Sequence, residues 1–423
     1  MSLGSRAAAA CLYLALMGCT DRPALAPVPR AGVWRVVLDL GQHELPFQID
    51  LQHPDSLSWV ANIHNASETI GVHDIELRGD SFLMRMPLFD SEFKGVVEND
   101  STISGHWHNY LKGPEYRIPF VAHAGQAERF GAPSSPTGAF GGTWEVHFSK
   151  GTSDAYDAIG VFDQDKNGLL TGTFLTETGD YRFLEGSVDN DSLRLSCFDG
   201  SHAFLFRGAL QGDSIVGGFW SGTHWTEPWV AYRNPDFHLR DPDSLTFLKE
   251  GHDMADVAFP DLEGNMISTR DDRFKGKVLM LQVMGSWCPN CVDETVLLKE
   301  LHADYGDQGL EVVALAFEKY EEESRAIAGL KRFKRAMGVE YPIVYGGSAA
   351  KENASAKLPF LDHIMSYPTC IFVDRTGKVR RIRTGFYGPS TGEHYTNYTR
   401  GLRTFIEQLL NEGTAPMPLA TKG

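Results

Sequence analysis

The chain has 423 residues, room for two or three domains, and its 42% apolar and 22% charged residues favour a packed core and exclude wholesale disorder. Asp and Glu number 55 against 39 Lys and Arg, a net charge of −16, which argues against a nucleic-acid partner because phosphate binding needs a basic surface. Six cysteines are too few for a disulfide-built scaffold.

Residues 1–18 read as a leader: Arg6 is the one early charge, and the apolar or small run 7–17 is too short to span a bilayer. The run ends Leu16-Met17-Gly18-Cys19, which resembles a bacterial lipobox and implies lipidation of Cys19 after cleavage. Residues 19–31, with Pro23, Pro27 and Pro29, form a semi-extended tether. The leader places the protein in a bacterial cell envelope, lipid-anchored and facing the periplasm.

The next 200 or so residues are all-β and read as a tandem repeat, with units at 32–130 and 142–235. Gly32-Val33-Trp34-Arg35-Val36 is echoed by Gly142-Thr143-Trp144-Glu145-Val146, and Asp80-Ser81 by Asp191-Ser192. Short alternating runs such as 83–86 and 193–197 are separated by Asp-Ser and Asn-Asp turn signals, the pattern of antiparallel hairpins. Each unit closes its own meander, or the two share one barrel or sandwich; the pattern fits both. The Gly- and Pro-rich stretch 131–142 is the joint.

From about Pro260 strands and helices alternate. Residues 278–283 form a continuous apolar strand, and Leu297, Leu298, Leu301 and Tyr305 follow at helical spacing. Residues 310–317 form a second buried strand; Ile327, Leu330, Phe333 and Met337 give a helical stripe ended by Gly338. Residues 370–373 and 379–382 flank an Asp374-Arg375-Thr376-Gly377 turn, and Leu402, Phe405, Ile406 and Leu409 mark a last helix. The predicted result is a mixed sheet covered by helices over 255–412.

Between the first strand and helix stands Trp287-Cys288-Pro289-Asn290-Cys291. A helix's first turn has unpaired N–H groups and a positive dipole end, which stabilise a thiolate. A spacing of three puts both sulfurs on one turn, close enough for a disulfide. Cys288 is expected to be exposed and to attack a substrate disulfide; Cys291 points inward and resolves the mixed disulfide. A lone Cys-x-x-Cys is only half a zinc site, and haem attachment needs His where Val292 stands; a static structural disulfide stays open.

Together with Tyr367-Pro368-Thr369 before the 370–373 strand, residues 255–412 resemble the TlpA-like family of exported thioredoxin-fold disulfide reductases, through Trp-Cys-x-x-Cys-x-x-Glu at Trp287 to Glu294. The resemblance implies a thioredoxin-like α/β fold, a redox pair at Cys288 and Cys291, and a Glu294 that tunes the thiols or relays a proton. It implies a cis peptide at Pro368, with Trp287, Tyr367, Pro368 and Thr369 bordering the substrate. It further implies disulfide-containing exported proteins as substrates, a thiol electron donor, and no cofactor or metal. Gln282 stands where thioredoxins bury an acid, and Val296 where the family often has a helix-kinking proline. The alternative reading is an envelope ligand-binding lipoprotein whose thioredoxin-like domain is sensory or inactive.

Weaker features read as structural. Residues 163–168 resemble the start of a calcium loop but lack its closing Glu; Phe174 stands there. His106 and His108 share one strand face, and Cys197 and Cys370 read as core positions. Residues 385–395 form a loop ahead of the last helix. With no Cys-x-x-Cys upstream of residue 260, the β-rich region is expected to be separable from the chemistry.

Overall fold

The computed structural model describes residues 26–55, 58–131 and 136–412. The leader, Cys19 and most of the tether lie outside the described residues. Among the described residues no helix is long and apolar enough to cross a membrane.

The β-rich region makes two antiparallel sheets with separate cores, so the shared-barrel alternative falls away. In the first, nine strands run as a meander, and Gly32–Asp39 pairs with both Glu44–Gln52 and Arg117–Ala124. The two edge strands, Glu68–Val72 and Asp74–Arg78, are consecutive in the chain. The second sheet closes into a ring, because Gly142–Phe148 pairs with Trp225–Arg233 and Tyr156–Gln164 pairs with Leu169–Thr176. Alternation explains the filling: Trp34, Val36 and Leu38 turn inward in one sheet, Trp144, Val146 and Phe148 in the other. Each leading tryptophan donates its indole N–H to the carbonyl four residues back, Trp34 to Arg30 at 3.0 Å and Trp144 to Phe140 at 2.7 Å.

The two sheets also interlock. Phe198, at the end of the Ser192–Phe198 strand, stacks on Phe47 in the first core with ring centroids 4.4 Å apart. Asn65 clamps it, donating to the Phe198 carbonyl at 2.8 Å and accepting from its amide at 3.2 Å. Buried Arg129 crosses the same seam to the His64 carbonyl (2.6 Å) and the Glu185 carboxylate (3.3 Å).

The C-terminal sheet has the order Ile343–Ser348, Leu310–Glu318, Val278–Met284, Thr369–Val373, Val379–Thr384. The first three strands are parallel and the last two antiparallel. Every residue of Val278–Met284 is buried, as a central strand covered on both faces requires. One face packs α1 (Pro289–Tyr305), α2 (Glu323–Met337) and α4 (Glu393–Asn411); the other packs α3 (Lys351–Lys357) and the segment around Phe259. Gly338 ends α2 in the left-handed region, φ 59°, ψ 43°, as its place after the apolar stripe predicts. The strand Ile343–Ser348 and α3 were not expected from sequence. Half of that strand is Gly346-Gly347-Ser348, and α3 is only seven residues long.

One side chain ties all three units together. Arg182 is buried and pairs with Glu68 of the first sheet (2.5 Å), Asp199 of the second (3.7 Å) and Asp293 of α1. Burial and the Asp180, Glu68 and Asp199 carboxyls push Asp293 up to about 7 despite the guanidinium. Replacing Arg182 by Leu strands these acids in a dry interface, with an expected loss of about 3–5 kcal/mol. Denaturant unfolding should show a smaller loss at pH 5 than at pH 8, since the stranded carboxyls take up protons at the lower pH; an equal loss at both would count against the ion cluster as the cause.

Candidate active site at the Cys288–Cys291 pair

The Val278–Met284 strand delivers the chain to Gly285-Ser286-Trp287 at the carboxyl end of the sheet. A Cβ on Gly285 would lie 2.2 Å from the Trp287 indole nitrogen and 2.7 Å from the Phe317 carbonyl, so only glycine fits this turn. The neighbouring strand fixes the turn. Trp287 Nε1 donates to the Phe317 carbonyl at 3.0 Å, and the buried Glu318 carboxylate accepts from the Ser286 amide (2.7 Å) and hydroxyl (2.8 Å). Burial pushes Glu318 up to about 7, against those hydrogen bonds.

Cys288 is the N-cap of α1, with Pro289 in the first turn, where its missing N–H costs nothing. The two cysteines form a disulfide with Cα atoms 5.2 Å apart. The Cys291 amide points at Cys288 Sγ, 3.2 Å away, so a thiolate there is met by a free N–H at the helix's positive end. Tyr367-Pro368 is cis, and the Tyr367 carbonyl lies 3.5 Å from Cys288 Sγ. Thr369 is buried, its hydroxyl donating to the Ser366 carbonyl at 2.8 Å. The Trp287 and Tyr367 rings meet edge to face at 5.3 Å.

Behind the pair, Gln282 is fully buried and joins the helix to the acid one turn on. Its Nε2 donates to the Cys291 carbonyl (3.3 Å) and to Glu294 (3.0 Å), while its oxygen accepts from Thr295 (3.3 Å). Glu294 is 2% exposed; burial pushes it up to about 7, opposed by the Gln282 bond and Arg383. Cys197 and Cys370 are buried free thiols, both pushed up by burial and so poor nucleophiles. The Asp165 carboxylate of the 163–168 tip is taken up by the Asn167 (2.8 Å) and Leu169 (2.9 Å) amides of a hairpin turn. His106 is exposed on its strand.

One expectation needs correction. Cys288 is 5% exposed, not open to solvent, and Cys291 is 0% exposed. Cys291 and Tyr367 pack against the Cys288 sulfur, and the second β unit lies on the redox face beside it. Its Ser201 donates to the Trp287 carbonyl (3.4 Å), Asn290 reaches the Asp180 carbonyl (3.4 Å), and Ser366 reaches the Thr178 carbonyl (3.0 Å). The 385–395 loop joins them, since the Gly388 amide donates to the buried Asp180 carboxylate at 2.6 Å. At Gly179 the backbone φ of +143° favours glycine, and the side-chain amide of Asn290 lies against it. A cavity of about 910 Å³ remains between the units, lined by Cys288, Trp287 and Tyr367 on one side and by Tyr181, Phe204 and Phe219 of the second sheet on the other. The β-rich region therefore builds part of the site instead of standing apart from it. Sequence reasoning missed Asp180, Arg182 and the aromatic wall. The one local signal was Gly179-Asp180, which breaks the alternation after the Leu169–Thr176 strand.

Residues 249–396 match the Redoxin family model. The chain is 28% identical to the thiol-disulfide oxidoreductase ResA of Bacillus thuringiensis over 134 residues, 31% of this chain and 68% of that protein. It is 29% identical to ResA of Geobacillus thermodenitrificans over 140 residues, 33% of this chain and 72% of that protein. A thiol:disulfide interchange protein of the thioredoxin family from Chlorobium tepidum aligns with 38% of this chain and 98% of its own, at 18% identity and a TM-score of 0.29. The C-terminal region is thus a Redoxin domain of the thioredoxin-fold family, and its relatives by sequence are thiol-disulfide oxidoreductases.

Proposed function

We propose that the protein is a membrane-anchored thiol-disulfide oxidoreductase that reduces disulfides of exported proteins through Cys288 and Cys291. The observation that carries the reading is the juxtaposition at one helix N-terminus: a Cys288 sulfur met by the Cys291 amide, a buried Cys291, and the Tyr367 carbonyl beside them. In this reading Trp287, Tyr367, Pro368 and Thr369 border the reacting disulfide, and Glu294 handles the proton of Cys291. The two β units descend from one repeat and hold the redox domain beyond the membrane surface, and a separate thiol donor restores the dithiol.

Two measurements test this reading. Equilibration of the Cys288–Cys291 pair against a glutathione series should give a potential on the reducing side, below roughly −200 mV; a value near −120 mV belongs to an oxidant and overturns the proposed direction. Dithiol-driven reduction of a flexible, disulfide-scrambled polypeptide should be accelerated by the protein and not by its Cys288→Ser variant. A ligand-binding protein with a silent redox domain would accelerate neither.

For the anchor, Cys19→Ala is expected to move the protein from the membrane fraction to the soluble one, or to leave an uncleaved precursor. Unchanged fractionation together with an unchanged mass of the mature N-terminus would remove the lipid from the picture.

A further inference from the structure

We propose that Lys112, which lines the cavity beside Cys288, and Lys319, which stands over the neighbouring Trp287 ring, bind a carboxylate of the substrate, so that the enzyme selects disulfides borne on short, flexible, acidic peptides. This rests on the oxidoreductase reading above and names its substrate class.

Access comes first. With Cys288 5% exposed at one wall of a 910 Å³ cavity, a disulfide on the flat face of a folded protein does not reach the sulfur. A peptide-sized disulfide does, since cavities of roughly 300–1,000 Å³ hold small ligands. Across from Cys288, the walls are aromatic: Tyr181, Phe204 and Phe219 line the floor, and Trp225, 45% exposed, stands at the rim. Such rings pack against peptide backbone and apolar side chains.

Charge comes second. The Lys112 ammonium donates to His224 Nε2 at 3.0 Å, and the Lys319 ammonium stands 4.2 Å above the Trp287 ring. Neither lysine makes an ion pair with a carboxylate among the described residues. The acids around them are engaged elsewhere: Asp199 by His202 and Arg182, Glu318 by Ser286, and, among the cavity's own carboxylates, Asp157 by His147, Glu177 by Arg240, Asp180 by Gly388 and Ser390, and Glu227 by Ser149 and Tyr156. His224 is no competing cation, because burial and Lys112 push it down to about 4. Burial, then repulsion by Lys319, pushes Lys112 down to about 8. Two lysines in no ion pair among the described residues, one lining the cavity with Cys288 and the other over the ring of the adjacent Trp287, form a site that an anion completes.

The exchange then balances as follows. The Cys288 thiolate attacks one sulfur of the bound disulfide, forming a mixed disulfide and expelling the other sulfur as a thiolate, which takes up a proton from solvent. Cys291 loses its proton and attacks Cys288 Sγ, the second substrate thiolate leaves, and the Cys288–Cys291 disulfide forms. The substrate gains two electrons and two protons, and a dithiol donor returns two electrons to the enzyme by the reverse exchange.

The test uses the purified full chain with glutathione disulfide, its tetraethyl ester, and a folded carrier protein ending in an acidic, disulfide-bearing tail. The expected result is a kcat/KM about tenfold or more higher for the free acid than for the ester. The ratio should fall towards one in Lys112→Gln/Lys319→Gln and in high salt. Reduction of the carrier's tail at a rate matching the free acid identifies a protein terminus as the source of the peptide; reduction of the free acid alone identifies a small molecule; both support the site. Equal kcat/KM for acid and ester in the wild type overturns the proposal. So does a double variant that slows both equally, because the lysines would then act on the Cys288 thiolate and not on the substrate. If none of the three probes is turned over, the oxidoreductase reading itself is overturned.

Discussion

Cys291→Ser is expected to accumulate a covalent substrate adduct on Cys288, seen as a shifted band on a non-reducing gel and as substrate mass added to the protein. Cys288→Ser is expected to accumulate almost none and to lose turnover by more than about 10³-fold. The asymmetry follows from placement. Cys288 Sγ faces the cavity and, as the N-cap, has the Cys291 amide directed at it from 3.2 Å, so its thiolate is stabilised and reachable. Cys291 is fully buried behind it, with its carbonyl held by Gln282. A sulfur in that position meets no external disulfide; it meets only the mixed disulfide formed at Cys288. Once Cys291 is gone, the intermediate has no internal exit and waits for an outside thiol. Adducts trapped equally by both variants would mean equal access to the two sulfurs, and the division into attacking and resolving thiols would have to be given up.

Features of this site written in contiguous residues were legible from sequence, and those assembled across the chain were not. The Val278–Met284 strand, the α1 start at Cys288-Pro289 and the αL glycine at 338 each follow from local rules about burial, capping and backbone freedom. Glu294 was legible as a residue of interest because it sits one turn after Cys291. Its burial and contact with Gln282 depend on the strand beneath α1. The burial of Cys288 was misread for a different reason. Helix geometry alone exposes an N-cap sulfur, but Ser201, Thr178 and Asp180 come from turns and strand ends some 90 to 110 positions upstream. Hairpin turns in an all-β region look alike in sequence whether their tips meet water or another domain. Arg182 shows the same limit: nothing around it distinguishes a solvated arginine from one buried among Glu68, Asp199 and Asp293. Lys112 and His224 are 112 positions apart, and only the packing of the first sheet against the second brings them together.

Glu294→Gln is expected to remove an inflection near pH 7 from the pH profile of Cys291 attack while leaving adduct formation at Cys288 intact. The carboxyl is 2% exposed and pushed up to about 7 chiefly by burial, so it changes protonation near neutral pH. Below that pH it is neutral and has a proton to give; above it, the carboxylate accepts the Cys291 proton as that thiol turns nucleophile. Glutamine keeps the shape and the bond to Gln282 but does neither, so resolution should slow by about 10²-fold at pH 7 to 8. Stopped-flow measurement of mixed-disulfide decay against pH separates this from attack at Cys288. Stability supplies an independent readout with the opposite slope to ordinary acid denaturation. Because the folded value lies above the usual 4.5, the buried neutral acid contributes stability that is fully present below pH 4.5 and is lost as the pH rises through about 7, on the order of 3 kcal/mol in all. The glutamine variant should therefore lose less stability than the wild type between pH 4.5 and 8, with the remaining slope set by Glu318 and Asp293, which lie in the same range. A variant with an unchanged pH profile for resolution and an unchanged stability slope would assign the proton transfer to water and leave Glu294 as a buried partner of Gln282.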